Sequence, residues 1–513
     1  MTTAFTLRQA GWPLLVGFTA VTAVPAVLAQ AASGSGTPWF EDAAAEAGIE
    51  FVHQRAQTVR YWLPEIMSGG AAWLDYDGDG DPDLYLVQGG APPADPADAG
   101  EPPDGQPGNL MLRNDGDGTF SDVSEESGAA DRGYGMGAAV GDYDGDGDPD
   151  LYVTNVGPNV LYRNDGNGRF SDVTETAGVG DAAWGTSAVF FDADSDGDLD
   201  LFVANYVRWT ADREIACYGG ANERTYCHPN QYQGPAPDVL YRNEGDGTFS
   251  DVSRESGIWR AYGNGLGVVS ADFNADGLQD VYVANDGMPN QLWINLGKGQ
   301  FRDDALLAGA AVNMTGAAEA GMGVAAVDIE NDGDLDLFMT HLRGETNTLY
   351  RNDGRASFDD STATSGLAAP SIAFTGFGMG FSDFDHDGVL DLYVGNGRVG
   401  HSQKALIPGD PFAEPNQLFR GLGDGRFEEV LPQGGTSAAV IDNTRGTAHA
   451  DYDGDGDIDI VVVNNGGPAR LLKNTAGDRG NAVRFRVLDE AGRDAFGAQV
   501  RIGSGPDQQW RLV

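Results

Sequence analysis

Seven times along the chain, a stretch crowded with acidic side chains runs straight into a short apolar one. The apolar pieces are Leu84-Tyr85-Leu86-Val87, Leu151-Tyr152-Val153, Leu201-Phe202-Val203, Val281-Tyr282-Val283, Leu337-Phe338-Met339, Leu392-Tyr393-Val394 and Ile460-Val461-Val462-Val463. Runs this short, rich in aromatic and β-branched residues, predict buried strands. A second pattern follows each run, as in Leu161-Tyr162-Arg163-Asn164, a Gly-x-Gly turn and Phe170. It recurs at Asn114–Phe120, Asn243–Phe249, Asn295–Phe301 and Asn352–Phe358, and in part at Leu418-Phe419-Arg420 with Phe427. Between the two patterns stands Asn155, Asn205, Asn285, Asn396 or Asn464, with His341 in the same place in one copy. Asn and Gly at such places suit hairpin turns that need positive φ, and His341 is expected to serve a hairpin hydrogen bond.

Four short strands fit into about 50 residues at roughly 3.3 Å per strand residue, and the observed intervals run from 50 to 80. The longer intervals carry insertions at Gly89–Gly108, Asn205–Asp238 and Gly397–Pro415. Trp39-Phe40 through Gly48 matches Thr119-Phe120 through Gly128 position for position. The amino terminus therefore holds the last strand of a repeat that lacks its first three, and the seventh repeat lacks that last strand. The two halves complete one unit and close a ring with no free edge. The predicted fold is all-β, a seven-bladed β-propeller over 38–478 whose last blade is closed by 38–48.

The acidic stretches share one nine-residue grammar. Position 1 is Asp75, Asp142, Asp192, Asp272, Asp328, Asp383 and Asp451. Position 3 is Asp77, Asp144, Asp194, Asn274, Glu330, Asp385 and Asp453, and position 5 is Asp79, Asp146, Asp196, Asp276, Asp332, Asp387 and Asp455. Position 7 is Asp81, Asp148, Asp198, Leu278, Asp334, Val389 and Asp457, and position 9 is Asp83, Asp150, Asp200, Asp280, Asp336, Asp391 and Asp459. Position 6 is always Gly. Carboxylates at alternate places in a tight, Gly-bent loop give the oxygen-only shell that a hard cation takes. Without one, two like charges about 4 Å apart repel by roughly 4 kcal/mol at an effective dielectric near 20. A solvated acidic turn does not explain seven copies in one phase. An EF-hand needs a Glu at position 12, where this chain has Leu86, Val153, Val203, Val283, Met339, Val394 and Val462. Up to seven Ca²⁺ ions are expected, held within β-hairpins. Asn274 makes its loop the weakest expected binder, and the longer Glu330 is expected to distort the shell.

A loop of this form followed by an apolar strand resembles the FG-GAP/VCBS repeat, the blade of integrin α-type propellers. From residue 479 the grammar changes. Arg493-Asp-Ala-Phe-Gly-Ala-Gln-Val500 is similar to the opening of an ASPIC/UnbV domain, so 479–513 is expected to begin a small β domain. Gly48-Ile-Glu-Phe-Val-His53, Leu63-Pro-Glu-Ile-Met67 and Tyr226-Cys227-His228-Pro229 resemble the cartilage acidic protein-like family. The resemblance implies an extracellular binding or adhesion module with structural calcium, acting on an unidentified protein or glycan.

Composition narrows the partners. Net charge is −47, with 78 acidic residues against 31 basic ones, which argues against nucleic acid and anionic membrane. Residues 1–29 carry Arg8, an apolar run and Val27-Leu28-Ala29. They read as a secretory signal peptide cleaved near Ala29, and no later stretch is long enough to span a membrane. A secreted, periplasmic or cell-surface monomer is expected. Cys217 and Cys227, the two cysteines, then form a disulfide. His386, at position 4 of its loop, is expected to face solvent, and His449 precedes the last loop. His53, His228 and His401 lie outside the repeat grammar and are the functional candidates. No catalytic motif is present, so a non-enzymatic role is expected. The alternatives are a calcium-dependent polysaccharide lyase, needing a base and an Arg at the channel, and a lectin presenting Trp184, Trp209 and Trp259 together.

Overall fold

The computed structural model describes residues 37–56, 60–90, 106–219, 222–232, 234–400 and 404–476, with 483, 485–488, 497–503 and 509–512 beyond them. Seven four-stranded antiparallel sheets make up a seven-bladed propeller. Blade 1 runs Ala71–Leu74, Asp83–Leu86, Leu110–Asn114 and Phe120–Asp122, from the axis outward. Blades 2 to 6 repeat this order from Gly135, Gly185, Gly265, Val324 and Gly376. Blade 7 takes three strands from Thr444–Ala450, Asp459–Asn464 and Arg470–Asn474 and its outermost from Phe40–Asp42. Phe40 stands opposite Asn474 and Asp42 opposite Leu472, so the two ends of the repeat array share one sheet. Phe40 is fully buried, edge-on to Phe384 at 5.3 Å.

The second strand of each blade is covered on both faces by neighbouring blades and is buried along its length, as in Asp150–Asn155 and Asp200–Asn205. That is why these runs are continuously apolar and do not alternate. The innermost strands crowd around the axis. A Cβ on Gly267 would meet the Met322 carbonyl at 2.3 Å, and one on Gly323 the Phe377 carbonyl at 2.3 Å. Only glycine permits this approach.

Two contacts stitch each blade to the one before it. The Phe of the outermost strand packs on position 2 of the preceding acidic loop, as Phe170 does on Tyr76 at 6.0 Å and Phe249 on Tyr143 at 5.5 Å. The Asn ending the third strand donates from Nδ2 to the carbonyl at that same position: Asn114 to Tyr452 (2.7 Å), Asn164 to Tyr76 (2.8 Å), Asn243 to Tyr143 (2.7 Å) and Asn474 to Phe384 (2.9 Å). The expectation that the repeat Asn residues adopt positive φ fails. Positive φ belongs to the turn glycines such as Gly166 and Gly168, and these Asn are strand ends used for their amides. Blade 6 has Gly421 in this place, and there Arg351 Nη2 crosses the seam to the Asp424 carbonyl at 2.6 Å.

Residues 1–29, the centre of the Gly89–Gly108 insertion, His401 and much of 479–513 lie outside the described residues. A hairpin of Gln499–Ile502 with Gln509–Leu512 is described. No helix among the described residues is long and apolar enough to cross a membrane.

Candidate metal centre

The seven acidic loops join the first and second strands of their blades, so all open on one end of the ring. Each is held by the same hydrogen bonds. One oxygen of the position-1 Asp accepts from the N–H of the position-6 Gly, at 3.1 Å in Asp75–Gly80, 3.0 Å in Asp142–Gly147 and 2.8 Å in Asp383–Gly388. That Gly has φ between 86° and 100° in every loop, a conformation that excludes most other residues. Position 4 also has positive φ, at Gly78, Gly145 and Gly454 but also at Ser195, Ala275, Asn331 and His386. The sequence reading missed this second left-handed position because only three loops mark it with glycine.

Position 9 is the anchor. Asp150 accepts from Tyr143 N–H at 2.9 Å and Asn164 N–H at 2.8 Å, and Asp83 from Tyr76 at 3.0 Å and Asn114 at 2.7 Å. The ninth carboxyl is buried in all seven loops. Burial pushes Asp83, Asp200 and Asp280 up to about 7 and Asp150, Asp391 and Asp459 up to about 8, against the backbone N–H bonds that pull the other way. A buried carboxylate with neighbouring carboxylates and no cation is costly.

Five loops bring carboxylate oxygens within 4.8 Å of one another: Asp75, Asp77 and Asp83; Asp142, Asp144 and Asp146; Asp192, Asp194 and Asp200; Asp383, Asp385 and Asp391; Asp451, Asp453 and Asp455. The loops carrying Asn274 and Glu330 do not form such a group. Glu330 turns toward Asp336, whose carboxyl rises by burial and by that contact, and onto Arg351 at 2.5 Å. Buried oxygens of Asp75, Asp194 and Asp451 take no hydrogen bond. An all-oxygen donor set with unpartnered oxygens turned inward fits a hard divalent cation. The position-7 residues stand at the loop rim, where Leu278 and Val389 offer only backbone oxygens.

Cations divide the loops. Arg113, Arg163 and Arg242 pair with acids two residues on, Asp115 at 2.9 Å, Asp165 at 2.5 Å and Glu244 at 2.6 Å, and act on the position-3 Asp of loops 1 to 3 only from a distance. Arg420 instead meets Asp385 at 3.1 Å and Asp387 at 2.5 Å, and Lys473 meets Asp453 and, at 3.4 Å, Asp455. His386 does not face solvent as expected: it is half-buried, its Nε2 3.4 Å from Asp457 of the next loop. Over loops 5 and 6 lies the carboxy-terminal hairpin. Trp510 N–H reaches Asn331 at 3.3 Å, Arg511 Nη1 reaches it at 3.2 Å, and Gln509 Nε2 reaches the Gly388 carbonyl at 3.4 Å.

The opposite end of the ring gathers most of the other candidates. His53 is buried, its Nε2 3.0 Å from Ser68 Oγ and its Nδ1 accepting from Gly466 N–H at 3.1 Å. Burial first, then Arg55 and Arg445, lower it to about 3, so it is a neutral staple. His341 is also buried, and His449, half-buried beside Phe384 at the loop end, shares its lowering to about 4, chiefly by burial. His228 is exposed and caps a short helix through Asn230 N–H at 3.2 Å. Cys217 and Cys227 form the disulfide. Trp184 and Trp209 pack on each other at 6.0 Å inside an apolar cluster, while Trp259 lies under Arg254. The three do not share a platform. The channel takes its lining from the first strands of all seven blades, with Arg445 bound to the carbonyls of Ile66 (2.6 Å) and Arg398 (3.0 Å).

A family model described as an FG-GAP-like repeat matches residues 75–153, 142–203, 232–283, 272–339 and 331–394. Cartilage acidic protein 1 of Xenopus tropicalis is 30% identical over 205 residues, covering 36% of this chain and 27% of the relative. Its Homo sapiens counterpart is 30% identical over 193 residues, covering 36% and 26%. The match thus spans about a quarter of the length of these relatives. Among solved structures, an Agrocybe aegerita lectin described as recognising non-reducing terminal N-acetylglucosamine gives a TM-score of 0.38 at 15% identity, over 71% of this chain and 79% of that one. A rhamnogalacturonan lyase gives 0.41 at 15% identity, over 83% and 74%.

Proposed function

Because the chain belongs to the FG-GAP-like repeat family, we propose that it is an exported, calcium-loaded binding module. The acidic loops hold Ca²⁺ through positions 1, 3, 5 and 9 and the position-7 backbone or carboxylate. The ion offsets carboxylate repulsion at each hairpin and so stiffens the seams between blades. One observation carries this reading: buried, unpartnered carboxylate oxygens at Asp75, Asp194 and Asp451, inside all-oxygen groups. The disulfide supports export, since such bonds persist in oxidising compartments, where millimolar calcium suits sites of about 10⁻⁴–10⁻³ M. The loops serve the scaffold, and recognition of a protein or glycan falls to the opposite end, where the insertions cluster.

The test is a thermal melt of the full chain in chelator, then with calcium or magnesium restored. Calcium should raise the melting temperature by several degrees and magnesium far less, because Mg²⁺ demands a tighter octahedral shell. Identical melts in chelator and calcium would refute the reading.

A further inference from the structure

At the end of the ring away from the acidic loops, a cavity of about 230 Å³ opens between the Leu63–Ile66 turn, the disulfide-bridged insertion and blades 4 to 6. Its walls are apolar and aromatic, including Leu63, Met67, Met322 and Phe377, and Cys227 of the disulfide forms part of one side. One carboxyl group breaks that surface. Asp286 follows the second strand of blade 4, and its Oδ2 accepts from Tyr206 Oη at 2.5 Å. The other oxygen takes no hydrogen bond among the described residues, yet it is not sealed away from solvent, and the residue lines the cavity.

The charges around Asp286 leave it unneutralised. Arg343 and Arg398 are spent on Glu414, at 3.2 and 3.1 Å, and Arg445 on backbone carbonyls. The titratable side chains near it are Glu345, itself raised by burial and by Glu319 and Asp286, and His228 at the cavity mouth, while burial raises the Asp286 carboxyl against the Tyr206 hydrogen bond. A half-buried acid in a cavity of aliphatic and aromatic walls, with one free oxygen, matches a donor that carries positive charge on an apolar body. The size is below the usual range of about 300–1,000 Å³ for drug-sized ligands, so the occupant is small.

We infer that this cavity binds a primary ammonium group on an aliphatic stem, the ammonium on Asp286 and the stem against Met67, Met322 and Phe377. A free alkylamine presents that chemistry, and so does a lysine side chain of a partner protein. The inference deepens the binding-module reading and does not depend on whether the acidic loops hold calcium.

The experiment titrates the full chain, in 2D NMR or calorimetry, with n-butylammonium, with N-acetyl-lysine methylamide and with the neutral analogue n-pentanol. Each is measured with and without calcium. Both ammonium compounds, or one of them, should bind at least tenfold tighter than pentanol. Binding of the capped lysine assigns a partner's side chain, and binding of butylammonium alone assigns a free amine. Asp286→Asn should weaken ammonium binding at least tenfold and leave the calcium-dependent melting shift unchanged. Leu342→Trp, which fills the cavity from a half-buried position, should abolish it and serves if Asp286→Asn does not fold. Pentanol binding as tightly as the amines, or undiminished amine binding in Leu342→Trp, would overturn the inference. A calcium-independent melt with ammonium binding intact would instead remove only the metal reading.

Discussion

Loops 1 to 3 and loops 5 to 7 carry nearly the same nine residues, yet their surroundings differ. In blades 1 to 3 the Arg before the Asn that ends the third strand finds an acid two places on, and makes no ion pair with the loop carboxylates. In blades 6 and 7 that place is Leu422 and Thr475, and the cation swings onto position 3 of the loop. Blade 5 has Asp353 in the place, but the longer Glu330 captures Arg351 first. Loops 5 and 6 also lie under the Trp510–Arg511 hairpin, whose Arg511 is lowered overall by burial, with Asp383 and Asp328 pulling the other way. A metal motif is therefore not a complete description of a metal site. A residue one strand away decides whether the cage meets an ion or a side chain.

The largest effect should come from removing the early sites together. Asn at position 1 keeps an oxygen for the Gly N–H and removes the charge. At about 1 mM calcium and a Kd near 0.1 mM, each filled site adds roughly 1.4 kcal/mol by mass action. Asp75→Asn with Asp142→Asn and Asp192→Asn should then erase about 4 kcal/mol of calcium-dependent stability, read by urea unfolding. The matching triple at Asp328, Asp383 and Asp451 should erase less than about half of that.

The calcium-free protein should next show a pH dependence common to both groups. Burial holds six of the ninth carboxyls near 7 to 8 in the folded chain against about 3.9 unfolded. Between those values the folded state binds more protons, so stability falls as pH rises from about 4 to 8. Urea midpoints in chelator should drop between pH 5.5 and 8, and saturating calcium should flatten the drop, because the ion favours the ionised carboxylates. A midpoint that rose with pH in chelator would contradict the burial of these groups.

A smaller gain is expected from freeing the late loops. Lys473→Met and Arg420→Leu each remove a partly exposed cation worth roughly 1 kcal/mol at most, or about fivefold in calcium affinity at that loop. Calorimetry of the single variants reads it. Of comparable size, Asn164→Ala should cost about 1–3 kcal/mol, because the buried amide loses its seam bond to Tyr76 and its bonds to Pro149 and Gly166, with calcium affinity at loop 1 falling modestly because Tyr76 loses its tie.

Much of this architecture could be read from the chain. The continuous apolar runs are the second strands, and the displaced copy at Trp39–Gly48 revealed a closed ring, since Phe40 falls in register with Phe120. The divided behaviour of the loops was not legible. It depends on rotamers of Arg420 and Lys473 and on which acid each can reach, and a motif read along one loop does not show a neighbouring strand. The need for glycine at 267 and 323 does not show along the chain, because its reason is the approach of blades distant in sequence. Asp286 belongs to no repeat position with a pattern, and only the fold places it under Tyr206, 80 residues away.

The most direct test is a calcium-binding isotherm with the number and identity of filled loops resolved, by calorimetry on the parent chain and on Asp192→Asn and Asp451→Asn. We expect a tighter class of about three ions, lost one at a time by early-loop variants, followed by a weaker class that Asp451→Asn reduces. Seven equivalent ions, or no saturable binding at millimolar calcium, would contradict the division of the loops.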